Sequence, residues 1–153
     1  MGVPRSTRGK VADDTLQFFN DCFDNDVVTV NGQEFLFRPR PARPPIYIGG
    51  SAANAIERTL KYGDGWLPMG SLDKLLPDIK AFKSKAVDQG HPGEVVTFAT
   101  LSPSDELANH KVIEDYERAG VTRMIVGKPY QTADDWYSTI AVSYTHLTLP
   151  TKA

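Results

Sequence analysis

The chain has 153 residues, 41% hydrophobic and 24% charged, which leaves room for one domain with a real core. Seventeen basic against nineteen acidic side chains give a net charge of −2, which argues against nucleic acid or an anionic membrane surface as a partner. A single cysteine, Cys22, excludes an internal disulfide framework and suits a reducing, cytoplasmic setting; no apolar run approaches the roughly 20 residues that span a bilayer, and Met1 to Lys10 lack the apolar core of a secretory signal.

In chain order, Asp13 or Asp14 can cap a helix whose Leu16, Phe19, Cys22 and Phe23 form one apolar face, with Cys22 a small buried hydrophobe. Val27 to Val30 and Glu34 to Phe37 are two extended runs around Asn31-Gly32, the strongest short hairpin signal. Arg38 to Pro45 is a Pro-rich connector that cannot be helical, and its Arg38, Arg40 and Arg43 are expected to be solvated or to meet an acidic group.

Ile46-Tyr47-Ile48 then reads as a buried strand, and Gly49-Gly50 as a turn in which the absent Cβ lets a ligand approach the backbone. Ser51 is placed to cap the next helix, whose unpaired N–H groups could receive a phosphate; a plain tight turn is the competing reading. Ala52, Ala55, Ile56 and Leu60 form the apolar stripe of that helix, and Gly63 stops it.

Three more units repeat the grammar. Gly65 to Pro68 is a short strand, followed by a helix from Ser71 or Asp73 with Leu72, Leu75, Leu76, Ile79, Phe82 and Ala86 on one face and Pro77 in its first turns. Val95 to Leu101 precedes a helix carrying Leu107, Val112, Ile113, Tyr116 and Ala119; Val121 to Val126 precedes a last helix opened by Thr132. Alternating strand and helix periods predict an α/β fold of parallel βα units, either a small open doubly wound sheet or half of a (β/α)8 barrel.

Few side chains in this pattern carry chemistry of their own. His91 lies in a Gly/Pro turn and His110 on a polar helix face, so neither has a partner at metal-ligand or triad spacing, and no metal is expected. Asp64 is expected to cap a loop or pair with a nearby basic side chain more than to act as a base.

The order of Arg8-Gly9, Asp13-Asp14-Thr15-Leu16, the hairpin with Asn31-Gly32, Pro44-Pro45-Ile46-Tyr47-Ile48-Gly49-Gly50-Ser51, Tyr62-Gly63-Asp64-Gly65-Trp66-Leu67-Pro68 and Ala119-Gly120-Val121-Thr122-Arg123 resembles a known family. The family is the bacterial luciferase-like monooxygenases, especially their coenzyme F420-dependent oxidoreductase branch, and the resemblance spans about Arg5 to Ile140. It implies a TIM barrel about twice this length, with residues 1–141 carrying strands five to eight plus a β-hairpin insertion. It also implies a reduced deazaflavin, F420, or alternatively FMN, at the C-terminal mouth of the barrel, acting on a small-molecule substrate in a parent expected to be homodimeric.

By the same resemblance Gly49, Gly50 and Ser51 match the turn that helps hold the cofactor phosphate. Asp64, Gly65 and Trp66 match the next strand top and shape the same rim. Lys128, just after the last strand, is expected first as a solvated loop lysine, with contact to an anionic substrate as the other reading, whereas the catalytic residues are expected on the missing strands. A non-catalytic α/β module that binds a phosphate ligand or a partner is the alternative.

The end of the chain follows a different logic. Val142 to Thr151, VSYTHLTLPT, breaks the helical pattern begun at Thr132. It resembles the in-frame translation of a transposase adapter used to prepare sequencing libraries, since GTC TCT TAT ACA CAT CTG ACG CTG CCG ACG encodes these residues in order. Residues 142–153 are therefore expected to be a non-native tail, and the natural chain to continue past Ile140.

Overall fold

The computed structural model describes residues 2–50, 52–100, 106–127 and 130–137; the expected tail lies outside them. Helix α1 (Arg8–Asp24) begins more than a turn before the aspartates expected to cap it. Thr7 takes the N-cap position, and its carbonyl receives the Val11 N–H at 3.0 Å. Asp13 and Asp14 instead sit inside the helix, Asp14 pairing with Lys10 at 2.6 Å and Asp13 with Arg58 of the next helix at 2.5 Å. The acidic pair that suggests a cap is thus used for side-chain ion pairs.

The apolar stripe of α1 behaves as its spacing predicts. Leu16 packs on the core, Cys22 is buried, and Phe23 lies tilted against Phe19 and meets Phe37 edge-on at centroid distances of 4.8 and 5.5 Å. The hairpin of β1 (Val27–Val30) and β2 (Gln33–Leu36) turns at Asn31 (φ 51°) and Gly32 (φ 75°). Both lie in the left-handed region that a two-residue type I′ turn demands. After it, all three arginines of the Pro-rich connector are engaged: Arg38 and Arg40 pair with Asp26, and Arg43 with Asp64 at 2.9 Å.

Four parallel strands follow in unbroken order: β3 (Tyr47–Gly49), β4 (Gly65–Leu67), β5 (Glu94–Thr100) and β6 (Arg123–Gly127). They are joined by α2 (Ala52–Tyr62), α3 (Leu72–Asp88) and α4 (Glu106–Arg118). Ser71 occupies the N-cap of α3, which accommodates Pro77 in its second turn and buries Leu75, Ile79, Phe82 and Ala86. Strand β6 starts two residues later than its apolar pattern suggests. The Val121 N–H bonds to the Tyr116 carbonyl at 3.0 Å and closes the preceding turn, whereas that of Thr122 bonds to the Val95 carbonyl at 2.9 Å and ties the chain to β5. Leu107, expected on the buried face of α4, is 81% exposed, whereas Tyr116 packs on the core.

One core joins sheet and helices: Ile48, Trp66 and Val95 from β3, β4 and β5 meet Ala55 and Ile56 of α2 and Leu75, Ile79 and Phe82 of α3. Met124 of β6 and Tyr116 of α4 extend it. All three connecting helices therefore cover the same face, and the strands run in sequential order. A doubly wound sheet reverses strand order to place helices on both faces. That alternative is excluded for the described strands, which are wound in one direction only.

The other face carries Tyr47, Gly65, Glu94, Val96, Phe98, Arg123 and Ile125, aligned by strand register. Along β5 it is filled toward the strand start, where Val96 is buried, and open toward the strand end, where Phe98 is 44% exposed; on β6 Arg123 and Ile125 are both exposed. This gradient positions the candidate site.

Candidate functional site at the strand ends

Parallel pairing brings the C-terminal ends of the strands to one edge: Gly49 of β3 with Gly50 after it, Met69-Gly70 after β4, Thr100 of β5 and Gly127 of β6. In sheets of this kind ligands bind at that edge, because the connecting loops and helix N-termini gather there. Gly50 has φ 127° and Gly70 φ 151°, conformations that L side chains rarely adopt. Met69 is 76% exposed beside them.

The turn after β3 fits an anionic group. A Cβ at Gly49 would meet no atom nearer than the Leu67 carbonyl at 3.9 Å, and one at Gly50 none nearer than the Ala55 Cβ at 3.6 Å. Both contacts are ordinary van der Waals ones, and both glycines are exposed, with the first amides of an 11-residue helix next to them. Gly49 and Gly50 are where the sequence reading puts them. Ser51 and Lys128, the other two expected contributors at this edge, lie outside the described residues.

Asp64, Gly65 and Trp66 are not at this edge, which corrects the expectation that they shape the rim. Asp64 and Gly65 stand at the N-terminal end of β4, the opposite end of the sheet. The Asp64 carboxylate accepts the Ile46 N–H at 2.7 Å and both hydrogen bonds of the Arg43 Nη1 at 3.0 and 2.9 Å, so it braces the strand starts. Gly65 is small for a steric reason: a Cβ there would lie 2.7 Å from the Tyr47 ring and 2.9 Å from the Glu94 Cβ. Trp66 points to the helix-covered face, is 1% exposed and packs edge-on against Phe82. Its one link to the cradle is from behind, where the indole N–H donates to the Gly50 carbonyl at 3.3 Å.

A polar cluster at the strand starts has no counterpart in the sequence reading. The Tyr47 hydroxyl donates to Glu94 at 2.5 Å, and Arg123 lies 3.8 Å from the same carboxylate and 5.8 Å from the Tyr47 ring centre. The hydrogen bond to Glu94 pushes the Tyr47 phenol above its ordinary value, and burial and the carboxylate charge add to this. These three residues come together only through register, which no local pattern encodes. His91 braces the same end: Gly93 donates to its Nδ1 at 2.9 Å, which leaves Nε2 to donate to the Gly63 carbonyl at 2.9 Å.

The strand-end edge therefore offers glycine backbone and helix amides, with Asp64, Glu94 and His91 all held at the other end. Such an edge can bind and orient an anionic ligand; proton transfer by a side chain has no candidate among the described residues of the cradle. No group of three or more His, Cys, Asp or Glu able to hold a metal occurs among the described residues, and none of their helices is long and apolar enough to cross a membrane. A family model described as luciferase-like monooxygenase matches residues 1–141. No curated protein matches the chain.

Proposed function

The chain belongs to the luciferase-like monooxygenase family, a family of flavin- or deazaflavin-using oxidoreductases and monooxygenases, and from that membership we propose that it contributes the phosphate-holding part of an F420-dependent hydride-transfer enzyme. The observation that carries this reading is the exposed Gly49-Gly50 turn leading into α2 at the strand-end edge. Bound F420 would supply the redox chemistry. The residues of this chain would hold its phosphate through backbone amides, orient the ring system across the mouth and help keep water out with Met69 and the exposed Phe98 and Ile125.

The barrel form of the proposal rests on the open face. Four strands wound in one direction, covered by helices on one side and left with Phe98 and Ile125 exposed on the other, fit strands five to eight of an eight-stranded barrel. Helix α1 packs beside α2 and the hairpin. The family match stops at residue 141, immediately before Val142, which supports treating 142–153 as foreign to the fold.

Titrating the polypeptide of the uninterrupted reading frame with F420 and with FMN, followed by absorbance and fluorescence, tests the proposal. Saturable binding of F420 with hydride transfer to or from a small substrate supports it. Binding of FMN alone would move the protein to the oxygen-using monooxygenases, and binding of neither would overturn the reading.

A further inference from the structure

We propose that Thr97 is a positioning residue: it holds the Pro68-Met69-Gly70 turn after β4 so that Met69 projects at the strand-end edge and covers the ring system of the bound cofactor. This deepens the reading of that edge as a cofactor mouth and rests on it.

The backbone itself cannot hold the turn. Strand β4 pairs with β5 through Gly65 opposite Glu94 and Trp66 opposite Val95, and the pairing stops there although β5 continues to Thr100. Continuing that register by two residues sets Pro68 opposite Thr97, and proline has no N–H to offer a ladder. The side chain of Thr97 takes over, since its hydroxyl donates to the Pro68 carbonyl at 3.0 Å. Both residues are fully buried, and Thr97 is the register partner of Met124, which packs on the core, so the bond is made from the helix-covered side. A buried hydroxyl and a buried carbonyl each need such a partner.

The turn is anchored at its other end as well. A Cβ on Gly70 would lie 3.5 Å from Leu75, a core residue of α3, and the Ser71 carbonyl receives the Lys74 and Leu75 N–H groups at 3.1 and 3.2 Å. Between these anchors the chain passes in one step from the fully buried Pro68 to Met69, which is 76% exposed. An unbranched thioether suits the cover of a flat ring, because it adapts to the surface and makes favourable sulfur–aromatic contact. Met69 is the covering group, and Thr97 aims it.

The test reads how far iodide quenches the fluorescence of bound F420, with FMN as the second probe. Met69→Ala is expected to raise the quenching constant of the bound cofactor. Thr97→Val, which keeps the shape and removes the hydroxyl, is expected to raise it about three-fold, the shift in population that loss of one neutral hydrogen bond allows. Thr97→Ser, which keeps the hydroxyl, is expected to stay close to wild type, and Thr97→Val added to Met69→Ala is expected to change nothing further.

Unchanged quenching in Thr97→Val with a lowered melting temperature would reduce Thr97 to a structural bond, and unchanged quenching in Met69→Ala would remove the covering role; either overturns the inference and leaves the cofactor site standing. Failure of the wild type to bind either cofactor would overturn the reading of the edge, and the inference with it. Should Thr97→Val fail to fold, Met69→Ala still tests the cover, and the Thr97 hydroxyl proton tests the bond: it is expected to exchange slowly in the ligand-free wild type, and prompt exchange would overturn the hydrogen bond.

Discussion

The two ends of the parallel sheet are built on opposite plans. At the strand starts, side chains fill the space: Tyr47 lies across Gly65 to reach Glu94, Asp64 ties Arg43 to the Ile46 amide, and His91 links the Gly63 carbonyl to the Gly93 amide. At the strand ends, Gly49, Gly50, Met69 and Gly70 are all exposed. Glycine appears at both ends for opposite reasons. Gly65 yields space to a neighbouring side chain, whereas Gly50, at φ 127°, takes a backbone conformation that L side chains rarely adopt. Stability should therefore be concentrated at one end and ligand binding at the other.

The largest expected effect comes from crowding the filled end. Gly65→Ala would place a Cβ within 2.9 Å of both Tyr47 and Glu94 atoms and should cost about 2–3 kcal/mol, read as a fall in melting temperature of several degrees. An unchanged melting temperature would mean that Tyr47 is not held across the strand. Asp64→Ala comes next. It removes the acceptor of the Ile46 N–H at 2.7 Å and the partner of Arg43, and should cost about 1–2 kcal/mol in urea unfolding while leaving ligand affinity unchanged.

Outside both ends, the Asp13–Arg58 pair that docks α1 on α2 sets the scale of an ordinary surface contact. The Arg58 guanidinium beside Asp13, chiefly by hydrogen bonding, holds this carboxyl below its usual 3.8. Its contribution is present above that value and lost as pH falls through the lower, folded-state one. Asp13→Asn should then cost a few tenths of a kcal/mol at neutral pH, after solvent screening, and nothing in strong acid. Urea curves at the two pH values check this, and a difference that persisted in acid would point to packing in place of charge.

The smallest effect is expected at Lys83, whose stem lies 3.2 Å from where a Cβ on Gly120 would be and whose ammonium is pushed below 10.5 by burial. Burial penalises the charged form of the folded state, so stability rises as pH climbs through the depressed value toward 10.5. Lys83→Met should be slightly more stable than wild type at neutral pH, with the advantage shrinking in alkali. Thermal melts across that range would show a constant or growing advantage if the lysine were not penalised.

Much of the fold was legible because it is local. The Asn31-Gly32 turn, the apolar faces of α1 and α3 and the alternation of strand and helix all follow from spacing and turn chemistry. The helix start at Arg8 was not, since the acidic pair Asp13-Asp14 is equally suited to capping and to ion pairing. The site was half legible: Gly49-Gly50 could be placed at a strand end from Ile46-Tyr47-Ile48 before it and the helix after it. Asp64-Gly65-Trp66 could not, because a three-residue strand leaves no room in the pattern to tell its start from its end. Register then decides that Tyr47, Gly65 and Glu94 share a face while Trp66 faces the helices.

The most direct test of the division between the two ends is a paired cofactor titration of Gly50→Ala and Asp64→Ala, using F420 and FMN. The account predicts that Gly50→Ala weakens binding of the phosphorylated cofactor about tenfold or more, by straining a residue at φ 127°, while Asp64→Ala leaves affinity within about two-fold of wild type despite its larger loss of side-chain contacts. Unchanged binding in Gly50→Ala together with a marked loss in Asp64→Ala would place the ligand at the other end of the sheet and contradict the account.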